Sequence, residues 1–79
     1  MQVQIKFFAQ LRERLGGGHA LELRAGATVT SVWRGIVAEH APLAKVPVRF
    51  AVNEQYVKGT HRLQDGDELA VFPPVSGGA

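Results

Sequence analysis

Cysteine is absent from the chain's 79 residues. Disulfides, zinc–thiolate sites and thiol nucleophiles are excluded together, so packing alone must hold the fold. Met1 carries the only encoded sulfur atom. Long hydrophobic runs are missing too. No apolar stretch approaches membrane-spanning length, and the start Met1-Gln2-Val3-Gln4-Ile5 lacks a basic leader followed by an apolar segment. The expected location is therefore cytoplasmic, with no membrane partner. Charge of one sign is not concentrated either: the basic residues are interspersed with acids and leave a net charge of only +2. Without a basic stripe carrying interleaved aromatics, nucleic acid is not an expected partner. His19, His40 and His61 stand too far apart for a local ligand motif, and no paired carboxylate accompanies them, so no metal site is expected. Asp65, Asp67 and Glu68 lack the twelve-residue calcium loop and read as turn residues.

What is present fits one small α+β domain. A chain this short buries only about 60–65% of the surface its unfolded form exposes. It has no room for an enclosed active site, so chemistry is expected at its surface or inside a partner. That favours a carrier or binding module over an enzyme that acts alone, and no bound cofactor is expected. Val3, Ile5 and Phe7 alternate with Gln2, Gln4 and Lys6, the period of a strand with one buried face. Phe8 breaks the alternation. Residues 9–15 are rich in helix formers and end at Gly16-Gly17-Gly18. Residues 20–24 predict a second strand, with Leu21 and Leu23 inward. Thr28 is placed to cap the main helix, whose stripe of Val29, Val32, Trp33, Ile36 and Val37 must face a sheet. Gly35 weakens that helix and is expected to mark a close approach of helix to sheet. Val48, Phe50 and Val52 predict a strand, Asn53-Glu54 a turn and residues 55–57 a return strand; Asp65-Gly66-Asp67 turns into a last strand carrying Leu69 and Val71. Helix on a mixed sheet is the expected architecture.

The end of the chain is its most informative part. Pro73 and Pro74 cannot extend a sheet ladder, so Phe72 should end the last strand. Gly77 and Gly78 have no Cβ and can pass a channel that rejects larger residues. A domain over residues 1–72 with a flexible tail over 73–79 is expected. Parity adds a further point: if Phe7 and Val71 face the helix, Phe8 and Phe72 face away, where an apolar patch beside a tail is a docking surface. The competing placement tucks Phe8 beneath the short helix at Leu11.

Phe7-Phe8-Ala9-Gln10-Leu11-Arg12-Glu13, Asp65-Gly66-Asp67-Glu68 and Phe72-Pro73-Pro74-Val75-Ser76-Gly77-Gly78, taken in order, resemble the ubiquitin-like sulfur carriers, most nearly those that form the small subunit of molybdopterin synthase. The resemblance implies a β-grasp (ubiquitin-like) roll whose terminal glycine, Gly78, becomes an acyl-adenylate and then a thiocarboxylate, with Gly77 keeping the approach narrow. It implies an adenylating enzyme of the ubiquitin-activating type that uses ATP, and a large synthase subunit that takes in the tail, in a two-plus-two heterotetramer. By position, Phe8, Tyr56 and Phe72 correspond to the contact with the partner subunit, with Pro73, Pro74, Val75 and Ser76 following them inward. Arg12 matches a basic position in the first helical turn, where contact with the activating enzyme competes with a simple solvated charge.

Ala79 departs from that pattern, since its methyl group sits where the activating enzyme expects no side chain. Three readings stay open: a peptidase removes Ala79, Ala79 belongs to a longer precursor or an added extension, or the chain no longer carries sulfur. The completeness of the rest of the ending favours the first two. Other classes compatible with the sequence are a sulfur carrier for thiamine thiazole or another pathway, and a ubiquitin-like binding module or protein modifier.

Overall fold

In the computed structural model, residues 1–74 are described. They form β1 (Gln2–Phe7), α1 (Ala9–Leu15), β2 (Gly18–Glu22), α2 (Val29–Glu39), a 3-10 turn (Ala41–Lys45), β3 (Arg49–Val52), β4 (Gln55–Val57) and β5 (Glu68–Phe72). The strands make one mixed sheet in the order β2-β1-β5-β3-β4. β1 and β5 pair in parallel, with Phe7 opposite Val71, and the other neighbours are antiparallel. The α+β roll expected from the sequence is what forms.

Alternation decides which face is buried. Val3, Ile5 and Phe7 of β1 and Leu69 and Val71 of β5 are all 2% exposed or less. They meet Val29 and Val32 of α2, with Leu11, Leu43 and Leu63 closing the margins. Trp33, Ile36 and Val37 pack on the rim of this core, and Trp33 sets its ring edge-on to Phe50 at 6.4 Å. The start of α2 is fixed by a reciprocal cap: Ser31 N–H donates to Thr28 Oγ1 (3.1 Å) and Thr28 N–H donates to Ser31 Oγ (3.0 Å). Thr28 was legible as a cap; the return bond from Ser31 was not, because the partner at that position is usually Glu or Gln. A cap of this kind contributes about 1 kcal/mol.

Two expectations need correction. β2 begins at Gly18 and ends at Glu22, ahead of the expected span of 20–24. Gly18 both ends the glycine run and pairs with Lys6, at φ 135°, and a Cβ there would stand 2.2 Å from the Ile5 carbonyl oxygen. Only glycine permits that pairing. Leu23 lies beyond the strand yet keeps its place, because its N–H donates to the Met1 carbonyl at 2.8 Å. Gly35, by contrast, marks no close approach: it is exposed, and a Cβ built on it meets nothing within 4 Å.

These two glycines give opposite predictions. Gly18→Ala is expected to cost at least about 2 kcal/mol, through a forbidden φ and a backbone clash. Gly35→Ala is expected to gain about 1 kcal/mol from helix propensity. Urea unfolding midpoints of the two variants check both signs.

Candidate functional site

β5 is the central strand that leads into the C-terminal segment, and its outward residues define the helix-free face. With Leu69 and Val71 turned to the core, Ala70 and Phe72 point the other way. The register sets Ala70 beside Lys6 of β1 and Ala51 of β3, with Tyr56 of β4 next in line. Two alanines therefore make a shallow floor between a lysine and an aromatic. One step toward the strand's end, Phe72 lies opposite Arg49, and the Tyr56 and Phe72 rings sit 5.7 Å apart at 55°. Such tilted pairs are attractive by about 0.5–1.5 kcal/mol.

Phe8 joins this face through its backbone. At φ −128°, ψ 158° it remains extended, so it continues the alternation of β1 and points opposite to Phe7. Its N–H donates to the Val71 carbonyl at 3.3 Å, which holds it beside the end of β5. It does not tuck beneath α1 at Leu11: its side chain is 45% exposed, and with Tyr56 at 74% it is one of the two exposed large hydrophobic residues among those described. The turn into α1 is made at once by Ala9, which adopts φ 54°. A non-glycine residue in that region carries strain of about 1–2 kcal/mol. Ala9 thus permits Phe8 to stay on the sheet's open face, a role that the sequence signals only by the break in alternation.

The opposite end of β5 is clamped. Asp65 Oδ1 accepts from Gln2 N–H (2.7 Å), while Asp67 accepts from Gln64 N–H (2.8 Å) and Asn53 Nδ2 (2.9 Å). Asn53 Oδ1 in turn accepts from Glu68 N–H at 3.0 Å. Of the carboxylates that superficially suggest calcium ligands, Asp65 and Asp67 are committed to backbone and amide donors and Glu68 pairs with Lys6 at 3.2 Å. Among the described residues no group of three or more His, Cys, Asp or Glu is placed to hold a metal. The start of β5 is pinned while its exit is left to the aromatic group.

Arg12 is exposed on α1 and lies over the loop after it; a Cβ on Gly17 would stand 3.8 Å from Arg12 Nε. Pro73 and Pro74 follow Phe72 and are half-buried. Val75, Ser76, Gly77, Gly78 and Ala79 lie outside the described residues. Sequence reasoning missed Arg49 and Lys58. They line one shallow depression with Tyr56 and Val57, and only the β3–β5 register reveals that Arg49 stands beside Phe72. The larger groove of about 450 Å³ lies between β2 and α2, on the helix side, where Leu21, Leu23 and Ile36 line it. Ser31, His19 and His40 line it too, with the Ser31 hydroxyl donating to the Thr28 carbonyl at 2.7 Å. Among the described residues no helix is long and apolar enough to cross a membrane.

The ThiS family matches residues 5–78 of the chain. The molybdopterin synthase sulfur carrier subunit of Chlamydomonas reinhardtii is 39% identical, over 99% of this chain and all of that protein. Among solved structures, a protein of Pyrococcus furiosus described provisionally as molybdopterin converting factor subunit 1 superposes with a TM-score of 0.84 at 32% identity, covering 95% of this chain and 99% of that one. Subunit 1 in the complex of subunits 1 and 2 of the molybdopterin-converting factor of Helicobacter pylori is similar at a TM-score of 0.68 and 25% identity, covering 98% and 99%. The fold is the β-grasp of ubiquitin-like proteins.

The aromatic group is a surface feature and the core lies behind it, so their substitutions should separate. Tyr56→Ser is expected to cost no more than about 1 kcal/mol, and Phe7→Ala about 3–5 kcal/mol. Chemical denaturation of the two variants measures the contrast.

Proposed function

The chain belongs to the ThiS family, and from that premise we propose that it is a sulfur carrier, the small subunit of a molybdopterin synthase. The observation that carries this reading is the outward group of exposed Phe8 and Tyr56 with half-buried Phe72 at the exit of the central strand, followed in sequence by Pro73-Pro74-Val75-Ser76-Gly77-Gly78. The patch docks on the large subunit, and the six residues beyond Phe72 can span about 20 Å when extended, enough to enter a buried pocket. The working group is the carboxylate of Gly78 once Ala79 has been removed by a peptidase.

A carboxylate is a poor electrophile until one oxygen is made a leaving group. An adenylating enzyme of the ubiquitin-activating type supplies this by transferring AMP from ATP to the Gly78 carboxylate, with release of pyrophosphate. A donor's sulfur then expels AMP and leaves a thiocarboxylate. In the synthase this soft nucleophile attacks the pterin precursor, and water restores the carboxylate as the sulfur is left behind. The chain provides no acid, base or cofactor to these steps and is not catalytic alone. It supplies a docking face, a narrow tail ending in Gly77-Gly78, and a carrier atom that cysteine does not provide. Arg12, exposed over the loop that follows α1, is available to the adenylating enzyme. Two copies of each subunit form the assembly, in the cytoplasm where ATP is at hand.

The test is the intact mass of the protein from its own cells, before and after a thiol-alkylating reagent. Since the chain has no cysteine, a thiocarboxylate is the expected site of uptake. A species that lacks Ala79 and gains one alkyl group is the expected result. Retention of Ala79 with no alkylation, even after incubation with the adenylating enzyme, ATP and a sulfur source, would sink the carrier reading. Conjugates of raised mass would point instead to a protein modifier.

A further inference from the structure

The sheet separates charge along its strands. Glu54 in the β3–β4 turn and Asp65, Asp67 and Glu68 at the start of β5 all gather at the clamped end. At the exit end stand Arg49, opposite Phe72, and Lys58, one step past the Phe50–Val57 pair in the β3–β4 register. Both line the depression that also holds Tyr56. Among the described residues the salt bridges are Met1–Glu22 and Lys6–Glu68, so neither cation is ion-paired there. Glu68, four residues before Phe72, is about 13 Å away along the strand, beyond the screening length of about 8 Å at physiological salt. Like charges set across neighbouring strands repel. The isolated domain gains nothing from this pair, and a counter-charge from outside would turn the repulsion into attraction.

We propose that Arg49 and Lys58 are the electrostatic half of the docking face, and that they meet a carboxylate-bearing patch on the large subunit beside the pocket that takes the Phe72 side chain. The inference rests on the carrier reading above. The geometry gives each group a separate task. Phe8, Tyr56 and Phe72 supply apolar area that holds the complex, while the two cations at its edge steer encounter and select a partner whose rim is acidic. Rim charges of this kind act chiefly on the association rate and on its salt dependence. Placed on one side of the tail exit only, they also fix the orientation in which the tail approaches.

The experiment measures binding of the full chain to its large subunit at low and high sodium chloride, with Lys58→Glu and the double reversal Arg49→Glu/Lys58→Glu. The double variant keeps a like-charged pair and so should keep the wild-type stability. Lys58→Glu faces Arg49 with an acid and should be at least as stable as wild type. Each variant is nevertheless expected to lose about tenfold or more in association rate at low salt, and the double variant to lose the wild-type decline of that rate with salt. A structural defect could not lower binding while stability held or rose. Tight wild-type binding that ignores salt, or variants that bind as wild type, would overturn the proposal and leave the carrier reading standing. Variants impaired only in activation by the adenylating enzyme would assign the cations to that partner and overturn it equally. A wild-type chain with no affinity for the large subunit would remove the carrier reading itself.

Discussion

The alternation of β5 is the constraint on which the rest of the molecule depends. This strand is central, paired in parallel with β1 and antiparallel with β3, and it is also the strand from which the C-terminal segment departs. Leu69 and Val71 must be inward to complete the core, so Ala70 and Phe72 must be outward. A slip of one residue would reverse both. The same register that buries the core therefore fixes the aromatic at the exit, at the residue that precedes Pro73 and Pro74. The clamp of Asp65, Asp67 and Asn53 at the other end prevents that slip.

A protein without cysteine that handles sulfur has to keep it on a group that is not a side chain, and the chain's end is the available one. This shapes the fold negatively. No pocket needs to surround the reactive atom. The helix-free face has instead the character of half an interface: two alanines as a floor, three aromatics at one end, and charges distributed by sign. Partner contacts concentrate their energy in a few buried aromatic anchors, the role proposed above for Phe8, Tyr56 and Phe72.

How much of this could be read from the sequence follows the range of the interactions. The Thr28 cap, the Asp65-Gly66-Asp67 turn and the inward Val3, Ile5 and Phe7 are local, and the chain shows them without any knowledge of its partners in space. The outward placement of Phe8 and Phe72 followed from parity. Gly35 was misread because a helix glycine signals either a close contact or nothing, and the sequence does not distinguish the two. Gly18 was passed over because the clash that forbids a Cβ comes from Ile5, thirteen residues earlier in the chain and brought near only by strand pairing. Arg49 and Lys58 were invisible for the same reason. The Asn53-Glu54 hairpin sets Arg49 against Lys58 locally, but their place beside Phe72 depends on the register of β3 with β5, which no local pattern encodes.

The division between the two faces has a consequence for how such a chain can change. Core positions are confined to the helix side, where a lost methylene leaves a cavity and substitutions are expensive. On the open face, Arg49 and Tyr56 are exposed and Lys58 lies outside the strands altogether, so their replacement leaves packing almost untouched. Charge at the exit can thus be altered without disturbing the strand that presents the terminal segment. Partner choice and folding are then nearly independent: Phe72 and its aromatic neighbours are held in place by Leu69 and Val71 from behind, while the rim in front is free to match whichever surface must receive it. A docking face needs that independence, because a contact that fixed the fold could not also be tuned to a partner.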